Sequence, residues 1–390
     1  MGVASRVIAA AIRSRHVSFI RLQSRPQNFS VGAIRVKVVG NAVLGLLLVV
    51  VGQPCKASAV RPDQDDADLH AVTQVGRRVA WAVGDRGVAW TTRDAGLTWA
   101  AVSLPGHVSC RSVCFLTNRV GWVAGSDERP GRAGGVVLAT RDGGTHWKTI
   151  RLPVDQVRHV RFFDFQHGLV VGQGNAENPS GVVETRDGGH TWRPLAGTLF
   201  DDWRTAAFSN DGHGVVAGGS LQTGTISEAA VLKSDGGPRT RRAWWGSAIG
   251  GQRSAWLGGD AAAILFRPPN RSAWSTPETP LPGGLANTTN FRAVAASGQQ
   301  AWVSGSPGST VWPTPDGGRH WERQATGQTL PLYAISINSD GHGFAVGALG
   351  VILRTTDAGD HWATIRGQGR RLAMLAIHVT SSTLPLGVIA

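Results

Sequence analysis

Charged residues make up only 17% of this 390-residue chain, which has a single Tyr, two Met and three Cys. So little charge argues against long amphipathic helices with charged outer faces. The 52 Gly and 15 Trp fit many short strands separated by tight turns. No G-x-S-x-G segment, phosphate-binding Gly loop or nucleotide fingerprint occurs, so the glycine content reads as turn chemistry. Cysteine and histidine never fall at metal-ligand spacings, and neither metal nor cofactor is expected. Cys110 and Cys114 lie four residues apart, about 13 Å in an extended strand. That is too far for a bridge without a bulge, which predicts free, buried thiols.

Acidic residues are missing altogether from residues 1–59, which hold Arg6, Arg13, Arg15, Arg21, Arg25, Arg35, Lys37 and Lys56. Setting these eight aside leaves 31 basic against 26 acidic residues, with no Lys/Arg run interleaved with aromatics, and nucleic acid is not expected as a partner. The apolar run Val38–Val51 follows Arg35 and Lys37 and precedes Ala57-Ser58-Ala59. This is the layout of a secretory signal, predicting a leader over 1–59, cleavage after Ala59 and a periplasmic or secreted mature chain. Anchoring to the membrane by residues 38–51 is the alternative, although the run is short for a span. Cys55 follows Gly52-Gln53-Pro54, which lacks the small or aliphatic residues that precede a lipidated cysteine. Val31 offers an alternative start that gives a leader of ordinary length.

The rest, residues 60–390, is organised by a repeat. The pattern T-x-D-x-G-x-(T/H)-W runs from Thr92 through Asp94 to Trp99, Thr140 through Asp142 to Trp147, Thr185 through Asp187 to Trp192, Thr314 through Asp316 to Trp321, and Thr355 through Asp357 to Trp362. A degraded copy surrounds Asp235, and a worn one at Arg267–Trp274 fills the one double-length interval. Each copy is a hairpin turn: the Asp carboxylate accepts backbone N–H groups, Gly takes positive φ, and the Trp packs on the blade beneath. Before each copy a short apolar strand ends at Gly, as in Gly121–Gly125, Gly168–Gly172 and Gly343–Gly347. His167, His213 and His342 precede Gly in the same place in three units and read as turn residues. Four strands per period of about 40–50 residues is one propeller blade. The prediction is therefore all-β: a seven-bladed β-propeller of four-stranded antiparallel blades, with repeats over about 68–380. Met374–Val379 resembles a further first strand, able to complete the ring across the chain ends, and eight blades is the alternative.

These segments match the Asp-box, or bacterial neuraminidase repeat, and the fuller unit resembles the photosystem II assembly/stability factor family over roughly 68–380. The resemblance implies a lumenal or periplasmic, non-enzymatic propeller that docks on a membrane protein during assembly, and it implies an arginine patch. An independent count finds one. Eleven residues before the second-strand Trp or its equivalent, ten in the sixth unit, stand His70, Arg111, Arg158, Arg204, Arg292 and Tyr333, with Trp245 or Gly246 in the decayed fifth unit. Such guanidiniums suit a carboxylate or an acidic peptide segment. The expected partner is a protein, bound by a monomer. A degenerate sialidase-like glycosidase, or a glycan-binding propeller, is the alternative. Against it, Tyr333 is the only Tyr, the Phe-Arg-Ile-Pro signature is missing, and the best acid pair is the adjacent Asp201-Asp202, whose side chains point to opposite faces of a strand.

Overall fold

The computed structural model describes residues 67–389 except 77, 95–97, 198–201, 227–231, 235–240, 270, 272, 278–280, 282–287, 367–376 and 380–386. Contacts divide the chain into Met1–Gln53 and Pro54–Ala390. The whole first unit and the predicted cleavage point after Ala59 lie outside the described residues, as does the degraded box at Asp235.

The second unit is a seven-bladed β-propeller. Each blade is an antiparallel meander whose strands pair in sequence order. Innermost strands are Leu69–Val75, Val108–Phe115, Val157–Phe162, Trp203–Phe208, Trp244–Ile249, Asn290–Ser297 and Leu332–Ile337 for blades 1 to 7. Blades 5 and 6 carry three full strands, their fourth reduced to the bridges Phe266–Ser275 and Val311–Gln324. Second strands such as Gly168–Gly172 and Gly214–Gly218 are buried at every residue. A blade is covered on both faces by its neighbours, so an unbroken apolar run replaces the alternation of a half-exposed strand.

Blades are joined by aromatic triads. Trp81 of blade 1 stacks on Phe115 of blade 2 at 4.7 Å, and the box Trp147 of blade 2 meets that pair edge-on. Trp122 repeats this with Phe162 and Trp192 one blade on. The indole N–H of Trp122 also donates to the Gly188 carbonyl, and that of Trp302 to the Ala358 carbonyl, each inside the next blade's box. The box tryptophans therefore seal the joint between two blades, a wider role than packing on their own.

The boxes are hydrogen-bonded as their residue types require. In blade 2, Asp142 Oδ1 accepts the amides of Thr145 and His146 at 3.0 and 2.9 Å, and Thr140 Oγ1 accepts the amide of Gly144 at 2.9 Å. Asp94, Asp187, Asp316 and Asp357 accept equivalent backbone amides. In the worn copy, Arg267 occupies the box Thr position and lies over Trp274 at 5.1 Å.

Closure differs from a direct meeting of blades 7 and 1. Ile377–Val379 is a strand, as the sequence suggests, but it pairs with Gly387–Ile389 in a separate two-stranded sheet. That sheet contacts the innermost strands of blades 1 and 7. Seven blades plus a two-stranded wedge form the ring.

Candidate functional site

Each innermost strand contains a β-bulge, and it falls on the same residue in every blade. Pairing with the second strand skips one residue between Leu69 and Ala71, Cys110 and Ser112, Val157 and His159, Trp203 and Thr205, Trp244 and Gly246, Phe291 and Ala293, and Leu332 and Ala334. The skipped residues are His70, Arg111, Arg158, Arg204, Trp245, Arg292 and Tyr333, the seven positions found by counting. The ambiguity in the fifth unit resolves to Trp245. An extra residue outside the ladder re-aims its side chain, so this strand position departs from the pairing in the same way in all seven blades.

The glycine that ends each second strand makes the bulge possible. A Cβ on Gly84, Gly218, Gly305 or Gly347 would lie 1.9 Å from the carbonyl oxygen two residues before the bulge, and on Gly125, Gly172 or Gly259 between 2.1 and 2.6 Å. In five blades the residue after this glycine donates its amide to that same carbonyl, for example Gly219 to Asp202 at 3.0 Å. The boxes lie at the opposite end of the blades: in blade 2, Thr140 pairs with Gly121, while Gly125 pairs with Cys110 beside the bulge. Box and bulge are thus separate devices.

Neighbouring bulge residues reach one another. Arg111 Nη1 lies 2.5 Å from His70 Nε2, and both face Asp85, at 3.3 Å from Arg111 Nη2 and 2.9 Å from His70 Nε2. Ser109 Oγ donates to the same carboxylate. Burial, then the Arg111 cation, holds His70 below the usual imidazole range. Arg204 donates to Asp202 Oδ2 through Nε at 2.8 Å and Nη2 at 2.7 Å. Its guanidinium lies 4.2 Å from the centre of the Trp245 ring, and that of Arg292 lies 4.7 Å from it. Trp245 Nε1 donates to Asp260 Oδ1 at 2.6 Å. Arg158 donates to Gln156 Oε1 at 3.0 Å. Burial first, then the charges of Arg111 and Arg204, depresses its pKa, with Asp202 opposing. Direct contacts join the bulge residues of blades 1 and 2 and those of blades 4 to 6, and Arg158 of blade 3 feels Arg111 and Arg204 through charge. Tyr333 occupies the same bulge in blade 7 but makes no hydrogen bond or ring contact with the other described members.

The sequence count passed over Asp85, and it gave Asp202 and Asp260 no role toward the arginines. Two fixed offsets carry that signal: two residues before the bulge (Asp68, Ser109, Gln156, Asp202) and directly after the second-strand glycine (Asp85, Asp260).

Other candidates fall elsewhere. The backbone amides of His167, His213 and His342 donate to Asp164, Asp211 and Asn338 inside hairpin turns. Cys110 and Cys114 are free and buried although the Arg111 bulge lies between them, and burial pushes the Cys110 thiol up to about 12. Tyr333 and Asp202 stand in blades 7 and 4, and Asp201 lies outside the described residues. Among the described residues no group of three or more His, Cys, Asp or Glu could hold a metal ion.

Comparison with known proteins gives a consistent picture. A family model described as photosynthesis system II assembly factor YCF48 matches residues 247–356. The photosystem II assembly protein Ycf48 of a Synechococcus species is 28% identical over 280 residues, 60% of this chain and 81% of that protein. The photosystem II assembly lipoprotein Ycf48 of a Picosynechococcus species is 28% identical over 183 residues, 44% of this chain but only 52% of that protein. Among solved structures, YCF48 bound to D1 peptide superimposes with a TM-score of 0.58 at 23% identity, over 75% of this chain and 92% of that one. Repeat chemistry, blade architecture and these matches together make the chain similar to the photosystem II assembly factor-like Asp-box β-propellers.

Proposed function

We propose that the mature chain is an exported, monomeric, non-enzymatic scaffold that docks a partner protein on the bulge end of the propeller. Arg111, Arg158, Arg204 and Arg292 receive an acidic or carboxylate-bearing peptide segment there. The observation that carries this reading is the bulge itself: a residue left out of the ladder at one position in seven blades, four times as Arg. A bulge costs ladder hydrogen bonds and reshapes the end of a blade, a feature typical of recognition sites. Support also comes from the relative whose structure is of a complex with a D1 peptide. The leader composition and the lipoprotein relative favour export.

Against catalysis stands the engagement of Asp202 by two nitrogens of Arg204, a geometry that serves a charged carboxylate. Three assays test the proposal. Replacing the four arginines by Glu is expected to release a co-purifying partner from the tagged protein, and unchanged pull-down composition would remove this reading. A panel of fluorogenic glycosides is expected to show no turnover. Activity abolished by Tyr333→Phe or Asp202→Asn would establish the glycosidase instead. Amino-terminal sequencing of the exported protein is expected to begin at Val60.

A further inference from the structure

The four arginines differ in what already neutralises them. Arg111 faces Asp85, and Arg204 is held by Asp202. An anion that meets either must compete with a built-in carboxylate. Arg158 donates to the neutral Gln156. Arg292 is exposed, and its guanidinium lies over an indole rather than against an acid. Arg158 also stands half-buried near the like charges of Arg111 and Arg204, and the nearest opposing carboxylate, Asp202, is already held by Arg204, so no acid is bonded to it.

Between Arg204 and Arg292 stands Trp245, from the blade that separates theirs. Its ring engages both guanidiniums, a cation–π arrangement that attracts each while keeping two like charges apart. Asp260 clamps the indole, accepting Nε1–H at 2.6 Å and the Ala243 amide at 2.9 Å. The indole is thus a spacer held from its edge.

We propose that, of the four arginines, Arg158 and Arg292 make the strongest contacts with the ligand, and that the docked segment carries two separate anionic groups, one for each, with Trp245 fixing the position of Arg292. This inference rests on the docking reading given above. It adds to that reading a ligand class, a doubly acidic extended peptide, and a positioning residue, Trp245.

The test uses amidated, fluorescein-labelled Gly/Ser decapeptides with one Glu, or with two Glu spaced two, four or six residues apart, read by fluorescence anisotropy on the full mature chain. One spacing is expected to bind at least about tenfold more tightly than the singly acidic peptide, as a second charge-assisted contact implies. Arg158→Gln and Arg292→Gln should each remove that advantage. Trp245→Ala should flatten the dependence on spacing, while Trp245→Phe, which keeps a ring between the guanidiniums, should retain it. Thermal unfolding of each variant checks that the propeller persists, and the conservative Phe variant keeps the test decisive where Ala disturbs folding. Equal affinity for singly and doubly acidic peptides, or failure of all of them to bind, overturns the two-anion inference. The docking reading is judged separately, by the pull-down with the four Arg→Glu substitutions.

Discussion

At the scale of single residues, the second-strand glycines and the box aspartates have opposite kinds of legibility. The glycines are conspicuous in sequence, and their reason appears only when the innermost strand is laid beside them. The Asp202 carbonyl approaches Gly218 so closely that a Cβ would sit 1.9 Å away. Backbone cannot rotate aside as a side chain can. Gly218→Ala is therefore expected to destabilise the propeller by about 2–4 kcal/mol. It should also displace Arg204. Urea unfolding and peptide binding check this, and unchanged values for both would contradict the close-approach argument. The box aspartates can be read directly, because every partner lies within five residues. Thr98, through its hydroxyl and then its amide, helps to hold the Asp94 carboxyl at about 2, and the His361 amide followed by the Thr355 hydroxyl does the same for Asp357. An unfolded Asp titrates near about 3.9. A carboxylate depressed in the folded state contributes stability that is full above the unfolded value and lost as pH falls toward 2. The denaturation midpoint is expected to be level above about pH 5 and to fall between about pH 4 and 2. Asp357→Asn should shrink that fall, and a midpoint independent of pH in this window would refute the assignment.

At the scale of elements, the unit of stability is the joint between blades. Trp122 is fully buried, stacks on Phe162 at 3.5 Å, and donates to Gly188 at 3.3 Å. Trp122→Ala leaves a large cavity at that joint and is expected to cost about 3–5 kcal/mol. Trp122→Phe keeps a stacked ring but removes the indole donor to the Gly188 carbonyl, which retains only Arg141 Nη2 at 3.4 Å, a loss of about 1 kcal/mol. Calorimetric midpoints of the two variants rank these effects, and a Phe variant as unstable as Ala would make the hydrogen bond rather than the stack the main contact. The box Trp could be identified from the sequence as an apolar staple. Its true neighbours could not, since Trp147 meets Trp81 from the preceding blade, 66 residues earlier in the chain.

At the scale of the whole molecule, the two-stranded wedge Ile377–Val379 and Gly387–Ile389 touches both ends of the blade series. A ring of repeats unfolds as one body only while its neighbours are linked in both directions. Deleting residues 377–390 is expected to broaden the unfolding transition and to lower hydrogen-exchange protection in the innermost strand of blade 1, Leu69–Val75. An equally steep transition would show that the wedge is not needed for closure.

By itself the sequence determined the all-β class, the seven units and the boxes, and it placed the bulge residues in register. All of these depend on chemistry within a single hairpin copied at a regular interval, and a copied local pattern survives in one dimension. Only the tertiary structure decided that the register position is a bulge, that Trp245 rather than Gly246 occupies it, and that Asp85 and Asp202 already neutralise two of the arginines. It also decided that a separate wedge closes the ring. Those facts are set by which strands pair and which blades adjoin, and a one-residue change of register reverses the direction of every side chain beyond it.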